Sequence, residues 1–249
     1  TGSKVRAGNN IQIAATEAVK VDLNAIGAAV GFAGIGGAVG VAVVNGTTEA
    51  FSGPTTTLNA GGDVLIKARS ENLAGSSSRV RSAAGAGGVV GLSASVAVMD
   101  DSSKVKAYVA TGSEIESAKT VEVKADTTRK VYAEALGGAA GGLAVGASIA
   151  RANFTGKTSA YFENNVTAGK AAGNKVNNVL ISASDDSSAK TKALAGAAGI
   201  LSGAGADASS NIASVVDAHI GDDADIAVQS TVNVSATGKA NAEASSIGA

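Results

Sequence analysis

The only histidine in the 249 residues is His219, and the chain has no cysteine. Imidazole is the side chain best placed to move protons near neutral pH, so a proton-transfer enzyme would be built around it. Its neighbourhood points elsewhere. Ala218-His219 is the fourth of a series that begins Ala50-Phe51, Ala107-Tyr108 and Ala160-Tyr161, with rings 57, 53 and 58 residues apart. A histidine that alternates with Phe and Tyr is expected to be a structural or surface ring, not a base. The acidic pairs Asp100-Asp101, Asp185-Asp186 and Asp222-Asp223 are the other candidates, since paired carboxylates run glycoside cleavage. Sequence neighbours on an extended chain point to opposite sides, and no Lys or Arg cluster accompanies these pairs, so no active site is expected.

Gly221-Asp222-Asp223-Ala224-Asp225 and Gly61-Gly62-Asp63 bring calcium to mind. Neither supplies enough oxygen ligands in a recognisable order, and no cofactor or metal is expected. The Gly-rich runs are too frequent to single out a phosphate loop. Asn45, Asn153, Asn165 and Asn233 each head an N-x-S/T triplet. For Asn45 and Asn153, aligned with Asp100, turn preference is reason enough.

Lys and Arg number 20 against 21 Asp and Glu, for a net charge of −1. With no basic stripe and no interleaved aromatics, nucleic acid is not an expected partner. Gly contributes 33 residues, while Trp is absent and Pro54, Met99 and His219 are single occurrences. The apolar content is mostly Ala, Val and Ile, which suits closely stacked backbones rather than a bulky core.

Internal repetition organises the rest. IQIAA, VLIKA, VEVKA, VLISA and VNVSA close on Ala15, Ala68, Ala125, Ala183 and Ala236, which are read as repeat strand ends. Apolar residues at every second position, mostly β-branched, predict strands with one buried face. A second block runs VGLSASVAVMD from Val90 and LAVGASIARAN from Leu143, aligned by placing Val96 on Ile149. In the first unit Val41 takes the Val96 position, and ILSGAGADASS (Ile200–Ser210) is the fourth copy. The other face of this strand carries Gly, Ser or Ala, as close approach of a second layer requires. Ala242-Glu243-Ala244 matches Ala133-Glu134-Ala135, so the chain is expected to be a slice of something longer. Its opening, TGSKVRAGNN, lacks the apolar stretch of a signal peptide, and targeting is expected outside this segment.

The fold predicted is all-β: an elongated parallel β-solenoid, a right-handed β-helix by analogy, built from degenerate repeats of 53–58 residues. It forms one solenoid over 1–249, with units near 16–68, 69–125, 126–183 and 184–236 and partial units before 16 and over 237–249. Two coils per unit are expected, giving a rod roughly 50 Å long and about 20–25 Å across. The rival is a transmembrane helix over Ala25–Val44, twenty uncharged residues with small-xxx-small spacings. Arg79, Arg81 and Asp207 in the matching stretches, together with the glycine density, argue against it.

This pattern of a Gly/Ala block, alternating small and β-branched residues, an Ala-ring strand and a V-x-V-x-A strand resembles repeats of large bacterial surface adhesins. These are the filamentous-haemagglutinin-like and autotransporter-type proteins, and the resemblance spans Ile11 to Ala249. It implies a secreted, extracellular segment displayed at the bacterial cell surface and acting as a stalk or fibre. The expected partners are copies of the chain or adjoining repeats, stacked end to end into a filament through the strand edges left unpaired at each end of the solenoid, and a host surface or biofilm matrix. A glycan- or host-protein-binding side face, with Tyr108, Tyr132, Tyr161 and Phe162 as contacts, is the alternative. A polysaccharide-active β-helix enzyme using Asp100 and Asp185 ranks behind both.

Overall fold

The computed structural model describes residues 2–73, 76–169 and 175–249. Strands dominate it, no α-helix occurs among these residues, and every strand pairing is parallel. The chain makes five successive rungs. The first holds β1 (Lys4–Ala7), β2 (Ile11–Val19), β3 (Asp22–Val44) and β4 (Thr47–Phe51). The second holds β5 (Thr57–Ala60), β6 (Val64–Asn72), β7 (Ser78–Asp101) and β8 (Lys104–Val109). The third runs as β9 (Glu114–Phe154) and β10 (Lys157–Phe162), and the fourth as β11 (Thr167–Ala168), β12 (Val176–Ile212) and β13 (Val215–Ile220). The fifth has β14 (Asp225–Ile226) and β15 (Val228–Gly248).

Each residue pairs with its counterpart one whole repeat away. Ile11 lies against Val64, Val64 against Val121, Val121 against Val179, and Val179 against Val232. One repeat therefore makes one rung, not the two coils expected. At about 4.8 Å between strands, five rungs stack to about 24 Å, half the expected length. The reason lies in the Gly/Ala block, which was read as a coil of its own and instead doubles back within the same rung.

Three walls enclose one core. Leu58, Ile115 and Val166 come from the first wall; Ile66, Val123 and Ile181 from the second; Val105, Val109 and Phe162 from the third. All are at most 1 % exposed. Burying each such side chain contributes roughly 1.5–3 kcal/mol, repeated at every rung.

Beyond this core each of the first four rungs sends out an arm that folds back on itself. Phe32, Val89, Gly142 and Ile200 interrupt the pairing registers and mark the bend. The two halves approach closely: Ser82 Oγ lies 2.6 Å from Ser95 Oγ and donates to the Ala38 carbonyl at 2.9 Å. A Cβ on Gly137 would fall 2.5 Å from the Ala147 carbonyl oxygen, so the small residues are a spatial requirement. Only the base of the arm is wide enough for larger groups, where Val80, Met99 and Phe154 pack on Ala133, Ala150 and Ala189.

Registers differ from the sequence alignment in three places, by one residue in the fourth copy, where Leu201 and not Ile200 pairs with Leu143, and by two residues in the others. Val39, not Val41, pairs with Val96, so Asp100 lies against Val43 and Asn45 does not share its position. Ala244, not Ala242, stands in the Ala133 column through Thr191. A slip of two keeps every side chain on its own face, so alternation of Gly, Ala and Val specifies parity and not register. Ala25–Val44 lies wholly in β3, and no helix among the described residues is long and apolar enough to cross a membrane.

Candidate functional site

Three groupings of side chains have the makings of a site: the ring column, a charged centre inside the core, and a cationic groove on the outer surface.

Parallel pairing in register places Phe51, Tyr108, Tyr161 and His219 in one column. Their ring centroids are 4.9, 5.0 and 4.9 Å apart and the planes lie within 3° of parallel. That interval is the strand spacing, so the backbone ladder sets the stack. His219 Nδ1 sits 3.2 Å from Asp217 Oδ2, and Lys157 shares that carboxylate at 3.5 Å. A histidine held by an aspartate resembles part of a catalytic array, but the neighbouring hydroxyls are not activated. Burial, then the charges of nearby Tyr108, Glu163, Glu49 and Asp217, push the Tyr161 phenol up to about 12. Thr111 Oγ1 donates to the Asn164 carbonyl at 2.8 Å.

Ala15, Ala68, Ala125, Ala183 and Ala236 also form one column. They are not strand ends: β2 continues to Val19 and β6 to Asn72, while Ala125 lies well inside β9. Ala68, Ala125 and Ala183 are buried.

The acidic pairs split as extended geometry demands. Asp101 turns inward to 4 % exposure, and Asp185 is likewise buried while Asp186 faces solvent. Asp222 and Asp223 sit on an exposed turn, where Asp222 N–H donates to Asn164 Oδ1 at 3.0 Å. Among the described residues no three His, Cys, Asp or Glu side chains converge as metal ligands.

The inward aspartates meet a residue that carried no weight in the sequence. Arg129 is 3 % exposed, between the main core and the base of the arm. Its guanidinium donates to Asp101 Oδ2 at 3.1 Å, Ser70 Oγ at 2.7 Å and Ser103 Oγ at 2.9 Å, with Glu17 Oε2 at 3.7 Å. Ser70 and Thr48 donate in turn to Glu17, at 2.8 and 2.7 Å. Burial alone would raise the Glu17 carboxyl; those two hydroxyls and the Arg129 charge outweigh it and hold it below its ordinary value. Asp185 goes the other way. Burial raises it, against the pull of Ser187, Ser214 and Arg129, and Asp101 adds to the rise. The adjoining cavity is about 10 Å³, no larger than one water needs. Parity was the available signal: Arg129 shares the inward alternation of Val121, Val123 and Ala125.

Outside, Arg79, Tyr132 and Lys190 form a column with Lys130, Arg81 and Ser188 beside them, around a groove of about 360 Å³. Arg81 pairs with Glu134 at 3.0 Å and Lys190 with Glu243 at 3.0 Å, whereas Arg79 and Lys130 have no ion pair among the described residues. Tyr132 donates to Glu134 at 3.1 Å, and burial followed by the Glu134 charge raises its phenol.

No family model, curated protein or solved structure matches this chain.

Proposed function

We propose that this chain is a structural stalk or fibre segment of a secreted bacterial surface adhesin, a right-handed parallel β-solenoid whose purpose is length. The observation that carries the reading is the one-repeat register, which runs from the first rung to the fifth in two walls and through four rungs in the third. Such stacking transmits no chemistry; it holds its two ends apart, and each added repeat extends the axis by about 4.8 Å without altering the cross-section. The closed core and the single-water cavity at Arg129 agree with that role. X-ray scattering on chains carrying one, two and three extra copies of residues 126–183 tests it. The extent along the stacking axis is expected to grow by about 4.8 Å per copy with the outline of the rung unchanged. A growing cross-section would overturn the reading.

A second reading, a glycan-binding side face, is favoured by the Tyr132 groove. An aromatic ring offers a sugar a stacking surface, and Arg79 and Lys130, without an ion pair among the described residues, offer a carboxylate or sulfate its counter-charge. Titration with heparin and with neutral dextran separates the outcomes. Heparin binding lost in Tyr132→Ala and in Arg79→Ala supports the groove, and equal binding of both polymers sinks it. For the enzyme reading, turnover of acidic glycans that disappears in Asp185→Asn would revive it.

A further inference from the structure

The halves of each arm bury the face that pattern rules would leave exposed. Gly91, Ser93 and Ser95 turn toward the opposite half, while Leu92, Val96 and Val98 face away from it. The same inversion holds in the first and third rungs. Val39 is 66 % exposed in the first, and Val145, flanked by rungs on both sides, is still 44 % exposed. No described segment covers this sheet.

The exposed face has relief. Ile35, Leu92 and Val145 form one column of bulk, and Val39, Val96 and Ile149 another. Between them runs a column of small residues, Gly37, Ala94, Ala147 and Gly205. A Cβ built on Gly37 or Gly205 meets nothing within 4 Å, so the furrow is open. The fourth rung continues the two columns with Gly203 and Asp207, and charge gathers at that corner, where Arg151 of the Val98 column faces Asp207 at 3.6 Å and Asp100 lies at the base.

We propose that this face is a lateral docking surface for a second copy of the chain, the bulky column of each copy seated in the small-residue furrow of the other. Two observations select that occupant. The relief is self-complementary: displacement by one column, about 6.6 Å along the strands, brings ridge onto furrow, as in dry interfaces between like sheets. The area also suffices. Six outward positions from Ala33 to Val43 span about 33 Å, and four rungs span about 19 Å. That is about 630 Å² per copy, or about 1,250 Å² for the pair, at the low end of specific interfaces. Apolar side chains over the first three rungs, with charge gathered at one corner, have the anatomy of such an interface. Rods would then associate side by side, which end-to-end stacking does not supply, and the inference stands whether or not the chain is a stalk.

Sedimentation velocity over a concentration series tests it. The wild-type chain is expected to pass from monomer to dimer, with a dissociation constant on the order of micromolar. Val145→Lys and Ala94→Leu, one charging the ridge and one filling the furrow, are expected to weaken the dimer at least tenfold with unchanged circular dichroism. A dimer indifferent to both changes, growth to open-ended polymers, or a chain monomeric throughout would each overturn the proposal. So would a monomer that floats with phosphatidylcholine vesicles, since the face would then serve lipid.

Discussion

Replacing Arg129 by Met tests whether the buried charge centre holds the rungs in register. The guanidinium is 4 % exposed and Asp101 4 %, joined at 3.1 Å, and Arg129 also satisfies Ser70 and Ser103. Met restores most of the volume but leaves the Asp101 side chain buried and supported by Ser103 alone. Stranding one partner of a buried ion pair costs about 3–5 kcal/mol. Asp101→Asn leaves Arg129 its two serines and Glu17, and a cost of about 1–3 kcal/mol follows. Combining the two is expected to cost less than their sum, because neither then strands the other. Acid modulates the deficit. Glu17, with its folded pKa held below the ordinary 4.5, contributes stability that is present above that value and lost as pH falls through the folded one. Arg129 supplies part of that depression, so the gap between wild type and Arg129→Met should narrow on acidification. Urea unfolding followed by circular dichroism gives the free energies. Amide exchange along β9 guards against rung-by-rung melting, which stacked repeats are prone to. A variant within about 1 kcal/mol of wild type at neutral pH, or a deficit that ignores pH, would refute the reasoning.

The ring column predicts that Tyr108→Ala, which removes two stacked contacts, costs about 1–3 kcal/mol in urea unfolding, while Tyr108→Phe is near neutral. Ala125→Leu forces a larger side chain into a fully buried column between Ala68 and Ala183, and should cost at least about 1–3 kcal/mol by the same assay. Asp185 has a folded pKa raised by burial, so its contribution favours the folded state below the ordinary value of 3.8 and disappears as pH rises through the folded one. Asp185→Asn should accordingly be more stable relative to wild type at neutral pH than in acid, measured as unfolding midpoint against pH.

The period, the strand parity and the ring and alanine columns could be read from residue types, because each recurs at a fixed place in four or five units. What escaped was decided by properties that a pattern of apolar and small residues leaves open. Val39 and Val41 are interchangeable in type and parity, so only three-dimensional pairing distinguishes them as partners of Val96. The Gly/Ala block doubles back at Phe32, Val89, Gly142 and Ile200, residues with nothing in common that a turn rule would detect. The habit of burying the larger alternate residue also fails in the arms, where Ser82 and Ser95 face inward and Val96 outward. Arg129 was legible only as a charge at an inward position, a signal it shares with Glu17, Asp101 and Asp185 in the other units.

Because every pairing joins a residue to its counterpart one repeat earlier, the newest rung needs only the rung before it as a template. A chain emerging amino end first could therefore lay down its structure as it appears, each completed rung exposing the edge on which the next is cast. Growth of this kind makes repeat number a free variable for the genome. Duplication or loss of one 53–58-residue unit moves the far end by one strand spacing and leaves every other contact in place.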